Sequence, residues 1–294
     1  MPYLRNTWYV AGWADELAPG AVLARRLLDE PVVMFRDAAG TAQALHDRCP
    51  HRFVPLSAGR VLPDTGNLQC GYHGLQFDGT GHCVHNPHCD GAIPKAAKVR
   101  AYPLVERHSL LWIWMGDVEA ATPDTIPDFS CMDTDGWYVG QGYLRPRANY
   151  VLEVENILDL SHIEFLHSEL LGSEAVKRAR TEVRQEGRSV WSLRLMQNER
   201  LPAVAAEKFG IPAGIAVDRW LDVRWDAPSN LLLLGGATPT GRPRSEQVGL
   251  PFTNHDRRSR PSQKVPRRAR KPLIEKHFLA FPYQQVPMER SRFG

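Results

Sequence analysis

Two short segments carry residues of metal-binding type at matched spacing. Cys49-Pro50-His51 is followed by Cys70-Gly71-Tyr72-His73, with 18 residues between His51 and Cys70. Each pair offers one thiolate and one imidazole beside a turn-forming residue, so two loop tips could pinch a metal centre between them. Soft thiolates suit zinc or iron–sulfur chemistry, and imidazole suits both. A Cys₂His₂ zinc site is chemically possible. Zinc fingers of that composition, however, use pairs of like ligands, and each pair here is mixed. A mixed pair suits a [2Fe–2S] cluster in which each loop gives one ligand to each iron. One iron then takes Cys49 and Cys70, and the other takes His51 and His73. Imidazole in place of thiolate lowers the negative charge and raises the reduction potential.

A second group lies in Asn149–Leu171, whose apolar residues Val154, Ile157, Leu158 and Phe165 follow helical spacing. Asp159 and His162 are i,i+3 neighbours that face the same way, and Asn156 and Asp159 are related likewise. His162 and His167 are five apart, about 140° around an ideal helix. They can meet one ion only if the helix widens, or if it ends near Leu166 and leaves His167 on a turn. By themselves these residues fit the polar face of an amphipathic helix equally well. Glu153, Glu155 and Glu164 read as solvated helix acids. A third cluster, Gly81-His-Cys-Val-His-Asn-Pro-His-Cys89, lacks a second pair at matching spacing, and Asn86-Pro87 within it marks a turn, so it reads as structural rather than as a further metal site.

The elements around the first pair are β structure. Pro31–Arg36 is an apolar run, Asp37–Gly40 a turn signal and Thr41–His46 a partner strand, which predicts a hairpin. Leu75–Gly81 and Leu110–Met115 read as further strands, so a small sandwich or barrel is expected. Residues 119–136, acidic and proline-containing without Lys or Arg, are expected to link it to a second, α+β domain over 137–255. In that domain Val190–Leu195, Asp218–Trp225 and Leu231–Leu234 read as strands. An apolar content of 43% with 23% charged residues excludes a disordered or collagen-like chain. The longest aliphatic run, Leu231–Leu234, is too short to span a bilayer, and the N-terminus lacks the apolar core of a signal peptide. Five cysteines at low density do not suit a secreted disulfide framework. A cytoplasmic location and no membrane partner are expected.

The stretches His46-Asp-Arg-Cys-Pro-His-Arg-Phe-Val-Pro-Leu-Ser-Ala-Gly59 and Leu68-Gln-Cys-Gly-Tyr-His-Gly-Leu-Gln-Phe-Asp78 resemble the Rieske domain of Rieske non-heme iron oxygenases. Asn6–Gly12 and Leu111–Asp117 fit the same resemblance, which covers residues 3–255 and points to the vanillate O-demethylase branch. It implies an N-terminal Rieske [2Fe–2S] domain over 1–118 and an α+β helix-grip catalytic domain. It implies that His162 and His167 are two ligands of a 2-His-1-carboxylate Fe(II) site. Asp159 and Asn156 would belong to that site, Asp159 bonding a ligand histidine and bridging to the Rieske histidine of the next subunit in a homotrimer. The implied activity is oxygenation of an aromatic substrate, such as O-demethylation of vanillate, with O₂ and with electrons from NAD(P)H through a separate flavin and iron–sulfur reductase. Two other classes stand beside it: a Rieske electron-transfer protein without oxygenase activity, and a zinc module with a nucleic-acid arm.

The resemblance stops after His255. The formal net charge of +3 averages an acidic body with residues 256–294, where 11 Lys and Arg face 3 Asp and Glu. Pro261, Pro266 and Pro272 disfavour a continuous helix there. Residues 256–272 read either as a basic arm for nucleic acid or as a departure of the tail by frameshift or truncation. The second reading is adopted, and nucleic acid is not an expected partner. Asp256, Glu275 and Glu289 are the only acids left, and none is assigned as the third iron ligand.

Overall fold

The strand Glu30–Arg36 is apolar on both sides, and the fold of the first half follows from it. In the computed structural model, residues 3–133, 142–143, 147–168, 172–209, 211–212 and 214–246 are described. They divide into two compact units, one running to Ser130 and one beginning at Cys131. The first unit holds β1 (Thr7–Trp13), β2 (Val22–Leu27), β3 (Glu30–Arg36), β4 (Ala42–His46), β5 (Arg60–Val61), β6 (Leu68–Gln69), β7 (Gln76–Phe77), β8 (Cys83–His85), β9 (Ala101–Tyr102), β10 (Leu104–Arg107) and β11 (Leu110–Met115). They form three sheets, ordered β1-β11-β10, β2-β3-β4-β9 and β5-β6-β7-β8.

Successive side chains of a strand point to opposite faces. Val32 and Met34 therefore enter one core with Tyr9, Leu111 and Ile113. Val33 and Phe35 enter a second with Leu45, Leu56, Leu68, Phe77, Cys49 and Cys70. Each fully buried side chain contributes about 1.5–3 kcal/mol. The predicted hairpin is present, with Val32 opposite His46 and Arg36 opposite Ala42. Its turn is closed by Asp37 N–H to Thr41 O at 3.0 Å and Gly40 N–H to Asp37 O at 3.0 Å.

Residues 119–130, expected as linker, instead pack on the first unit. Trp8 Nε1 donates to Thr122 O at 3.0 Å, Arg107 donates to Pro123 O at 2.9 Å, and Ile126 and Phe129 are buried. Glu119, Asp124 and Asp128 face water while Ile126 and Phe129 do not, a pattern that composition alone does not separate. Residues 134–136 lie outside the described set.

The second unit holds α1 (Tyr150–Leu158), α2 (Ile163–Leu166), α3 (Glu174–Arg178), β12 (Thr181–Glu186), β13 (Ser189–Arg200), α4 (Ala203–Phe209), β14 (Ala216–Asp226) and β15 (Asn230–Pro239). The strands form one antiparallel sheet in chain order. Val154, Leu160, Ile163 and Val176 lie over one of its faces, against Met196, Leu221, Val223 and Leu231. The α+β reading holds. Strand β12, exposed at every position, carries no hydrophobic signal and was not foreseen. The tail after His255 lies outside the described residues, with Asp256, Glu275 and Glu289. Among the described residues no helix is long and apolar enough to cross a membrane.

A fully buried ion pair ties β13 to β14. Arg219 donates to Glu199 through Nε at 2.8 Å and Nη2 at 2.7 Å, and neither side chain is solvent-accessible. Ser173 Oγ, which caps α3, donates to the same carboxylate at 2.5 Å. Removing one partner leaves a buried charge uncompensated. Glu199→Ala is expected to destabilise this unit by about 3–5 kcal/mol, whereas Glu199→Met with Arg219→Met costs far less; denaturant unfolding of the two variants checks this.

Candidate metal centres

The two Cys/His segments fold into loops closed in the same way. After β4, Cys49 N–H donates to Val54 O at 2.9 Å and Phe53 N–H to Cys49 O at 2.9 Å. After β6, Cys70 N–H donates to Leu75 O at 2.8 Å and Gly74 N–H to Cys70 O at 3.1 Å. The fourth residue after each cysteine is left-handed, Phe53 at φ 60° and Gly74 at φ 73°. For Phe53 this costs roughly 1–2 kcal/mol, partly offset by the Arg48 guanidinium stacked 4.1 Å over its ring. Asp47 anchors the first loop by accepting from Ser57 N–H at 2.7 Å and Ser57 Oγ at 2.6 Å.

Glycine is required where the loops meet. A Cβ on Gly59 would lie 1.9 Å from Gln69 O, and one on Gly71 would lie 2.6 Å from Ala58 O. Residues 58–59 therefore run directly against the chain that carries Cys70.

The four donors are sorted by depth. Cys49 and Cys70 are each 2% exposed, while His51 is exposed and His73 half-buried. The two imidazoles stand with ring centroids 4.5 Å apart at 62°. Burial pushes the Cys49 thiol up to about 11, and the neighbouring Cys70 adds to the rise. A strong positive charge beside such a thiol, as bound iron would supply, favours the thiolate. Desolvation, with His51, His88 and Arg52 nearby, holds His73 below its ordinary value, so its imidazole is neutral and can ligate. Among the described residues no three Cys, His, Asp or Glu side chains gather around one ion-sized point. A tetrahedral zinc site needs four donors around one ion; a two-iron cluster needs two protein donors per iron. The donor set fits the cluster.

Downstream, Cys83 packs in the core beside these thiols, and His82 Nδ1 lies 2.8 Å from Thr80 Oγ1. His88 does more than pack: its Nε2 lies 2.9 Å from the carbonyl oxygen of His73. Sequence spacing could not find this contact, because the residues are 15 apart on different loops.

The second group departs from one long helix. Asn149 caps α1 by accepting from Val151 N–H at 3.0 Å, and α1 stops at Leu158. Asp159 is extended, at φ −106° and ψ 93°, and accepts from Ser161 N–H at 2.9 Å, capping a 3-10 turn over Leu160–His162. Short α2 follows, and His167 ends it at φ −127°. The break has a physical cause, since Asp bonds the next backbone N–H groups better at a cap than inside a helix. It brings the His162 and His167 ring centroids to 5.6 Å at 74°, the turn solution to the five-residue spacing.

His162 Nδ1 lies 2.9 Å from Asp159 O. A carbonyl only accepts, so Nδ1 carries the proton and Nε2 is free to bind a metal. The bond from Asp159 thus comes through its backbone. Its carboxylate faces Ser161 and, at 3.9 Å, Arg194, and these bonds to Ser161 hold it below the usual carboxylate value. Asn156 is exposed on α1, one turn before Asp159. Glu164 is not solvated as expected: its side chain is 14% exposed and pairs with Lys177 at 3.1 Å.

Residues 7–103 match the Rieske [2Fe-2S] domain family, and residues 147–255 match the vanillate O-demethylase oxygenase C-terminal domain. The chain is 40% identical over 248 residues to the oxygenase component of dicamba O-demethylase from Stenotrophomonas maltophilia, covering 84% of this chain and 72% of that one. This chain is a Rieske oxygenase component by family. It is also 33% identical to a vanillate O-demethylase oxygenase subunit from Pseudomonas sp. (strain HR199), covering 81% of this chain and 67% of that one. The crystal structure of dicamba monooxygenase bound to 3,6-dichlorosalicylic acid superposes with a TM-score of 0.78 at 39% identity, covering 84% of this chain and 72% of that one. The matched Rieske family binds a [2Fe–2S] cluster, and another neighbouring structure, of dicamba monooxygenase, holds non-heme iron together with dicamba.

The close approach at Gly59 makes a prediction. Gly59→Ala must push residues 58–59 off Gln69 and displace Cys70. The purified variant is expected to lose most of the visible [2Fe–2S] absorption per chain, while Gly142→Ala, whose Cβ meets nothing and whose backbone is not left-handed, retains it.

Proposed function

We propose that this chain oxidatively O-demethylates a methoxyarene of the vanillate or dicamba type. The observation that carries the reading is the pairing of a thiol-deep, imidazole-shallow donor set with a second unit in which the Asp159 carbonyl frees His162 Nε2 beside His167. The names of the relatives supply the substrate class. The net reaction takes the aryl methyl ether, O₂, two electrons and two protons to the phenol, formaldehyde and water. The electrons come from NAD(P)H through a separate flavin and iron–sulfur reductase.

In this reading Cys49 and Cys70 hold the inner iron and His51 and His73 the outer. When bound, the cluster supplies single electrons and the ferrous ion supplies reactivity toward O₂. The chain does the rest by position. The left-handed turns at Phe53 and Gly74 aim the imidazoles outward while the thiols stay in the core. The kink at Asp159 fixes the tautomer of His162 and sets His167 on the turn. Asp159, with Asn156 one turn before it, carries the electron path to the His51/His73 pair of a neighbouring subunit in a homotrimer, and gel filtration with light scattering tests that assembly.

Metal analysis separates the classes. Iron with acid-labile sulfide, plus one further iron per chain, is expected; zinc without sulfide overturns the proposal. His162→Ala should keep the Rieske spectrum, lose the further iron and release no formaldehyde from vanillate. A wild-type chain that holds the cluster but no further iron would be an electron-transfer protein. Asp159→Asn should keep both metals and slow cluster reoxidation in a single turnover at least tenfold; an unchanged rate would remove Asp159 from the electron path.

A further inference from the structure

His88 belongs to a histidine-rich stretch that the cluster motif does not use. Its loop is held by its own bonds: Asn86 Nδ2 donates to Ala92 O at 2.7 Å, His88 N–H to Asn86 Oδ1 at 3.2 Å, and Gly91 N–H to His88 O at 2.9 Å. The same loop lies directly on the second cluster loop, where Pro87 Cγ is 3.1 Å from the place a Cβ would occupy on Gly74. An exposed histidine would ordinarily be free to turn in water. Here its Nε2 meets the His73 carbonyl oxygen at 2.9 Å, with the two rings 6.1 Å apart at 72°. Because that oxygen only accepts, Nε2 carries the proton.

We infer that His88 is a positioning residue for His73, donating through Nε2–H to the His73 carbonyl and so setting the orientation of the imidazole and the electrostatics of the cluster's outer face. The inference rests on the reading of His73 as a cluster ligand. Hydrogen bonds to a ligand residue orient it, and donors near an iron–sulfur cluster tune its potential. Reduction adds negative charge to the cluster. A donor N–H beside it, quenching a carbonyl dipole of the ligand loop, favours the reduced form.

The test uses the full chain with its cluster reconstituted, read by electron paramagnetic resonance and redox titration, with far-ultraviolet circular dichroism as the fold control. His88→Ala is expected to keep the cluster, shift the g-values and move the midpoint to lower potential. His88→Gln, whose amide N–H₂ can reach the same carbonyl, should restore both toward wild type. Loss of the cluster in the alanine variant with retention in the glutamine variant also supports the role. Wild-type g-values and midpoint in His88→Ala overturn it, as does equal loss of the cluster in both variants. His73→Ala reports on the underlying reading: if it keeps an unaltered Rieske spectrum, His73 is not a ligand and the inference falls with it.

Discussion

A thiol buried beside a second thiol resists ionisation, because a thiolate there would have neither water nor an opposite charge. Cys49 is in that position, with Cys70 beside it at the bottom of two loops inside the core shared with Phe35 and Phe77. A bound cation would stabilise the ionised form. The apolar core therefore does more than hold the sheets together: it holds the Cys49 thiol in its protonated form. The histidines escape the constraint, since a neutral imidazole can bind a metal without ionising, and they stand nearer the surface.

The geometry that enforces this sorting is backbone geometry. Each loop closes with a bond from the cysteine N–H to the carbonyl five residues on, and each turns through a left-handed residue. One uses Gly74, where the conformation is free of steric cost. The other uses Phe53, where it is not, and a guanidinium stacks on the ring. Gly59 and Gly71 then let the loops approach to backbone contact, which a side chain at either place would prevent.

In the second unit the constraint is a helix that must stop. Asp159 supplies it by capping the next turn with its carboxylate while its carbonyl accepts a hydrogen bond from His162 Nδ1–H. One residue thus breaks the helix, sets a tautomer and lets His162 and His167 face each other. The helices gain their footing from the sheet, through Leu221 and Val223 on one face of β14 and through the buried Glu199–Arg219 pair that also takes Ser173 at the start of α3.

Much of this was legible before any fold was known. The mixed Cys/His pairs and the hairpin around Asp37–Gly40 rest on residue type and short spacing, which act locally; for His167 the sequence left a widened helix and a turn both open, and the structure has the turn. What the sequence by itself could not determine depends on which distant segments meet. The depth of the thiols, the collision that makes Gly59 obligatory, the docking of residues 119–130 on Trp8 and the reach of His88 to His73 join positions 10 to more than 100 apart. Periodicity is blind to such pairs, since packing and desolvation are properties of the neighbourhood rather than of the neighbour in sequence. Strand β12 shows the same limit from the other side: exposed at every position, it is held by the β13 ladder and leaves no pattern to read.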